Sequence, residues 1–108
     1  MSLVEQKIAE LGLTLPETSK PLAAYIPAVQ SGNLVFTSGQ LPMRDGALLR
    51  TGKVGAEVSA EDAKALAEVC ALNALAAIKM AIGDLDKIVR IVKVVGFVAS
   101  TPDFTGQP

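Results

Sequence analysis

The sequence predicts an α+β layer fold, a small sheet backed by one long helix. Three observations carry this. Residues 22–38 hold two mostly apolar stretches around Ser31-Gly32-Asn33, the pattern of a hairpin. Residues 63–82 contain no Gly or Pro and are rich in Ala and Leu, the pattern of a long helix. Residues 88–99 alternate apolar side chains on both faces, the pattern of a strand covered on each side. At 108 residues, half of them apolar, the chain is one domain able to bury a core without metals or disulfides. Residues 1–20 form an N-terminal helix and linker, and residues 21–108 the core.

Taken in order, Ser2-Leu3-Val4-Glu5 fits a capping box. Leu3, Ile8 and Leu11 continue a helical stripe, and Gly12 closes a helix expected over about 3–11. Pro16 and Pro21 each remove a donor and make residues 15–21 a linker. Leu22 to Gln30 reads as the first strand, with Pro27 confined to an edge or bulge. Leu34 to Ser38 is the second strand. Pro42 to Ala47 is a turn signalled by Asp45-Gly46, and Ala47 to Leu49 a short strand. Residues 51–55 form a Gly-rich loop.

Ser59 is the expected N-cap of the long helix, and Glu61 and Asp62 suit the positive end of its dipole. Leu66, Cys70, Asn73, Ala74, Ala77, Ile78 and Ala81 share one face, widened by Ala67, Ala71, Leu72 and Leu75, so the helix is expected to lie across a sheet. Gly83 caps it. Asp84-Leu85-Asp86 leads to the strand Ile88–Ala99, and Thr101-Pro102-Asp103 is a turn. A layout with both strand faces apolar needs a partner surface.

Composition excludes several chemistries. There is no His, which removes Ser-His and Cys-His nucleophile pairs and nearly all zinc sites. No metal or other cofactor is expected. The single cysteine, Cys70, forms no intramolecular disulfide and reads as a packed thiol. Net charge is −1 with scattered cations, which argues against a nucleic-acid surface. No uninterrupted apolar run reaches the roughly 18 residues of a span, so no membrane contact is expected. The N-terminus lacks a secretory pattern, and a reduced, cytoplasmic setting is expected. Gly52-Lys53-Val54-Gly55 has the wrong spacing for a phosphate loop. The strand running into Ser38-Gly39 marks the candidate site: a hydroxyl beside backbone that a ligand can approach.

Tyr25, then Gly32-Asn33-Leu34-Val35-Phe36-Thr37-Ser38-Gly39-Gln40-Leu41-Pro42, then Ile91-Val92-Lys93, Phe97-Val98 and Asp103-Phe104, in that order, resemble the RidA family. The family is also called YjgF and often labelled endoribonuclease L-PSP. The likeness covers roughly residues 20–105, and the extra N-terminal helix resembles the longer RidA-like subgroup. It implies a chorismate-mutase-like mixed sheet and a homotrimer with clefts between subunits. It also implies hydrolysis of reactive 2-imino acids to 2-oxo acids and ammonia. By the same resemblance Tyr25 and Ser38 are catalytic-site residues, with Gly39 and Phe97 binding substrate. The family's carboxylate-binding arginine and water-activating glutamate fall after a second helix, beyond the residues matched here. Arg44, Arg50 and Arg90 stand elsewhere. The expectation is therefore a C-terminally incomplete domain, either a piece of a longer protein or a degenerate member. The expected ligand is a small carboxylate or 2-imino acid. The alternative function is a non-catalytic trimer that binds a small molecule or a partner. Ribonuclease activity, suggested by the family label, is a weaker alternative.

Overall fold

Ser2 opens the chain's first element. Its hydroxyl accepts from the Glu5 amide, and the Glu5 carboxylate accepts from the Ser2 amide at 3.1 Å, the expected capping box. Helix α1 runs Leu3–Glu10. It ends in a Schellman motif: the Gly12 N–H donates to the Ala9 carbonyl and the Leu13 N–H to the Ile8 carbonyl. The computed structural model describes residues 2–18 and 24–108. The expected start of the first strand at Leu22, and Ser19, Lys20 and Pro21 of the expected linker, lie outside the described residues.

The hairpin forms as expected. Strand β1 spans Ala28–Ser31 and β2 spans Leu34–Thr37, antiparallel, with Ala28 opposite Thr37 and Ser31 opposite Leu34. The two-residue loop places Gly32 at positive φ, which suits a glycine at the first central position of a hairpin turn. The strand is shorter than its apolar pattern. Tyr25 to Pro27 lie outside the ladder, because Pro27 brings no N–H to pair. Strands β3 (Met43–Arg44) and β4 (Ala47–Leu48) make a second, smaller hairpin. Met43 and Arg44, expected within the turn, supply its rungs instead. The turn itself is the expected Asp45-Gly46, both at positive φ.

Helix α2 spans Ala60–Ile82, with Ser59 as N-cap and Gly83 as C-cap, as the sequence predicts. It lies over β1, β2 and β3. Its buried residues are Leu72, Asn73, Ala76 and Ala77, a narrower stripe than the expected face, since Ala67, Ala71 and Ala81 are exposed. By length and composition alone α2 is also apolar enough to cross a membrane. A 3-10 turn, Leu85–Lys87, follows, with Asp84 as its cap.

This turn ties α1 to the C-terminal end of α2. The Asp86 carboxylate accepts from the amides of Leu3 at 2.8 Å and Val4 at 3.0 Å, the positive end of α1. Glu5 pairs with Lys79 of α2. Leu85 is 0% exposed, in a joint between α1 and α2. Together with Ile8, Ala28, Val54, Val58, Leu72, Ala76 and Ala77 it makes the described core.

The final expected strand does not join a ladder. Residues 88–98 pair with no neighbouring strand among the described residues, and Val89 and Phe97 are each 96% exposed. An alternating apolar sequence favours extended backbone, but a strand needs a neighbour to take its N–H and C=O groups. Among the described residues only its end finds one. The Val54 amide donates to the Ala99 carbonyl at 2.9 Å, and the Thr101 amide to the Val54 carbonyl at 3.0 Å. Parallel pairing is confined to these isolated bridges of Val54, with Ser100 and Val58. The fold class is α+β, as expected.

Candidate functional site

The site begins where the first hairpin stops. Extending the β1–β2 register by one step places Ser38 opposite Pro27. The Ser38 N–H donates to the Pro27 carbonyl at 2.8 Å. Pro27 has no N–H to return, so the rung is one-sided and the ladder ends. This leaves the Ser38 carbonyl free for another donor. The Gln40 side chain supplies it: Nε2 donates to the Ser38 carbonyl at 3.3 Å and to Ser38 Oγ at 3.2 Å. The hydroxyl is thereby held at the corner by a neutral amide.

The corner is open. Gly39 is exposed, and an added Cβ there meets nothing within 4 Å. By strand period Ser38 continues the row of Leu34 and Phe36, the face opposite buried Ala28. Leu34, Phe36 and Val29, which pairs with Phe36, are exposed apolar side chains. Ser38 thus stands at the end of an uncovered apolar row.

The other expected residues divide. Tyr25 lies at the same open end of the hairpin, two residues before Pro27, and is 44% exposed. Phe97 lies on the segment 88–99, where it lines a shallow depression with Gly96, Val98, Ala99 and Gln107. No ladder ties that segment to the hairpin among the described residues. Tyr25, Ser38 and Gly39 thus flank the same end of the hairpin along the chain, and Phe97 stands on a segment that no ladder joins to it among the described residues.

No ionisable side chain hydrogen-bonds Ser38 among the described residues. Arg50 is committed elsewhere: one guanidinium nitrogen donates to Asp62 Oδ2 at 2.9 Å and the other to the Glu57 carbonyl. The amides of the Gly52–Gly55 loop are also committed. Lys53 N–H donates to Glu57 Oε1, Val54 N–H to the Ala99 carbonyl and Gly55 N–H to the Val58 carbonyl, so they do not cradle a phosphate. Burial pushes the Cys70 thiol pKa up, which suits a packed rather than a reactive thiol.

Two residues at this corner were not picked out from the sequence. Gln40 anchors the hydroxyl. Asn73, buried in the middle of α2, donates from Nδ2 to the carbonyls of Leu41 at 3.1 Å and Met43 at 3.0 Å. Its signal was present, as a polar side chain on an otherwise apolar helix face.

Comparison with known proteins places the chain. The family described as "YjgF/chorismate mutase-like, putative endoribonuclease" matches residues 5–103. The protein Atu1372 of Agrobacterium tumefaciens has a crystal structure that superposes with a TM-score of 0.86 at 47% identity, over 97% of this chain and 63% of that one. Protein TCP17 of Trypanosoma cruzi is 38% identical over 104 residues, 96% of this chain and 65% of that protein. The 2-iminobutanoate/2-iminopropanoate deaminase of Escherichia coli is 35% identical over 72 residues, 67% of this chain and 52% of the enzyme. The chain thus spans between about half and two thirds of the length of these relatives. It belongs to the YjgF/chorismate mutase-like family, which includes the RidA-type deaminases.

Proposed function

We propose that the Ser38–Gly39 corner receives a small 2-imino or 2-oxo acid and that the protein is a RidA-like deaminase. The observation that supports this is the corner itself: a hydroxyl fixed by Gln40, an open approach over Gly39, and Tyr25 at the same end of the hairpin. A likeness to a 2-iminobutanoate/2-iminopropanoate deaminase across two thirds of the chain favours the same substrate class. In the proposed reaction water adds to the C=N carbon of the 2-imino acid. The C–N bond then breaks, the nitrogen takes the protons, and a 2-oxo acid and ammonia leave. Ser38 acts as a positioning donor or acceptor for the substrate. A nucleophilic role would need a base, and among the described residues the group that holds its hydroxyl is the neutral Gln40 amide.

The cleft is proposed to close between subunits of a homotrimer. Its motive is the uncovered apolar row Val29, Leu34 and Phe36 and the exposed apolar segment 88–99. Light scattering tests this, and a monomeric mass removes it. The activity is tested by generating 2-iminobutanoate with a dehydratase and following 2-oxobutanoate. A rate no higher than the buffer background removes the enzyme reading.

A second reading is a non-catalytic binding protein. The observation favouring it is that the groups holding Ser38 are neutral, whereas hydrolysis needs a group to activate water. Stabilisation by 2-oxobutanoate without turnover is its signature.

A further inference from the structure

We propose that Asn73 is a positioning residue: its carboxamide clamps loop 39–43 to helix α2 and so fixes the direction in which the Ser38–Gly39 corner faces its ligand. The functional half of this inference rests on the ligand reading of that corner.

Asn73 is the one buried polar residue among the described residues, at 7% exposure. It sits in the interior of a 23-residue helix, where Asn is a poorer helix former than the Ala and Leu around it. The cost is offset by what the side chain does. One NH2 group supplies two donors, and both are used on the carbonyls that flank Pro42. Those carbonyls belong to a segment with its own tight geometry. The Met43 N–H donates to the Leu41 carbonyl at 2.8 Å, and the Leu49 N–H to the Pro42 carbonyl at 3.0 Å. Upstream, the Ser38 N–H is held by Pro27. Only Gly39 and Gln40 separate the hairpin anchor from the helix anchor. A chain fixed at both ends of two residues has one course, and Gly39 adds no side chain to alter it. Without the Asn73 donors the loop loses its hydrogen bonds to α2 and keeps only the packing of β3 against the helix.

The chemistry of the carboxamide gives the test. Asn73→Asp keeps the shape but, when ionised, offers no donor and sets a charge against two carbonyl oxygens. Burial and those oxygens raise the carboxyl pKa, so mild acid protonates it and restores one donor. Asn73→Leu restores none at any pH. The reporters are the Met43 and Leu49 amides, read by hydrogen exchange, with the interior amides of α2 as the control. At neutral pH both variants should exchange at the reporters roughly tenfold to a hundredfold faster, the loss of two hydrogen bonds, with α2 unchanged. Their affinity for 2-oxobutanoate should fall in parallel. Mild acid should restore protection in Asn73→Asp and leave Asn73→Leu as it was.

Wild-type protection at the reporters in both variants overturns the inference. So does uniform loss along α2, or identical behaviour of the two variants across pH. If neither variant folds, the wild type decides. A clamped carboxamide has Nδ2 protons that exchange slowly by NMR, and free-amide rates there overturn the proposal. The two readings separate cleanly. Wild type that ignores 2-oxobutanoate removes the ligand reading while the exchange data still judge Asn73. Equal binding by wild type and Asn73→Asp removes the positioning role alone.

Discussion

Replacing Ser38 by Ala separates a ligand contact from a structural one. Ser38 Oγ accepts a bond from Gln40 at 3.2 Å, and the same Gln40 nitrogen also donates to the Ser38 carbonyl at 3.3 Å. Removing the hydroxyl leaves that second partner in place. The corner is half open to water, so no buried donor is stranded. The cost to folding is therefore at the low end for a hydrogen bond, about 0.5 kcal/mol. For a domain of this size that lowers Tm by about 2–4 °C. Binding should respond differently. A hydroxyl that bonds a carboxylate contributes about 1.5–3 kcal/mol, so S38A should weaken 2-oxobutanoate roughly tenfold to 150-fold. The assay is calorimetric titration beside a melting curve on the same sample. Affinity within about twofold of wild type shows that the hydroxyl does not meet the ligand, because a lost charge-assisted bond costs more than that. A Tm loss above about 8 °C refutes the structural half, since it exceeds what one exposed hydrogen bond supplies.

Three further substitutions test the frame that presents the corner. Leu85→Ala empties the fully buried joint between α1, the 3-10 turn and α2, and should cost about 2–5 kcal/mol in denaturant unfolding at unchanged m. Gly55→Ala should cost about 1–3 kcal/mol by the same assay, because Gly55 has φ +95° and a Cβ would lie 2.5 Å from Thr101 Oγ1. The Lys79 ammonium, with the Ser2 amide and hydroxyl, lowers the Glu5 pKa from its ordinary 4.5 to about 2. A depressed carboxylate stabilises the fold above its unfolded pKa and loses that contribution as pH falls. Melting temperature should therefore drop between about pH 4.5 and 2 in the wild type, and Glu5→Gln should flatten that part of the profile.

What was legible in the sequence was whatever neighbours decide. The Ser2–Glu5 box spans four residues, and the Asp45-Gly46 turn is a dipeptide. The caps of α2, Ser59 and Gly83, lie at the ends of one run that holds no Gly or Pro. Each of these is fixed by backbone chemistry within a turn or two, so composition suffices to place it. The role of Asn73 was not legible, because its partners stand 30 and 32 residues away and are backbone carbonyls, which every residue has. Its helix face was predicted, but not the loop that the face would meet.

Residues 88–99 show the same limit from the other side. Their alternation predicts backbone with both faces covered, yet it names no partner strand. Extended conformation is local, whereas a ladder is a contract between two segments. Within the described residues the contract is met only at Val54. The exposed Val89 and Phe97 measure what remains unmet, since burying a Val or Phe side chain is worth about 1.5–3 kcal/mol each. Apolar burial of that kind is weakly sensitive to salt, unlike pairing through Arg90 and Lys93 on the same segment. If the proposed trimer uses this segment, its mass by light scattering should therefore survive high salt. Dissociation by salt would instead assign assembly to the charges, and Phe97 would lose its claim to wall the cleft.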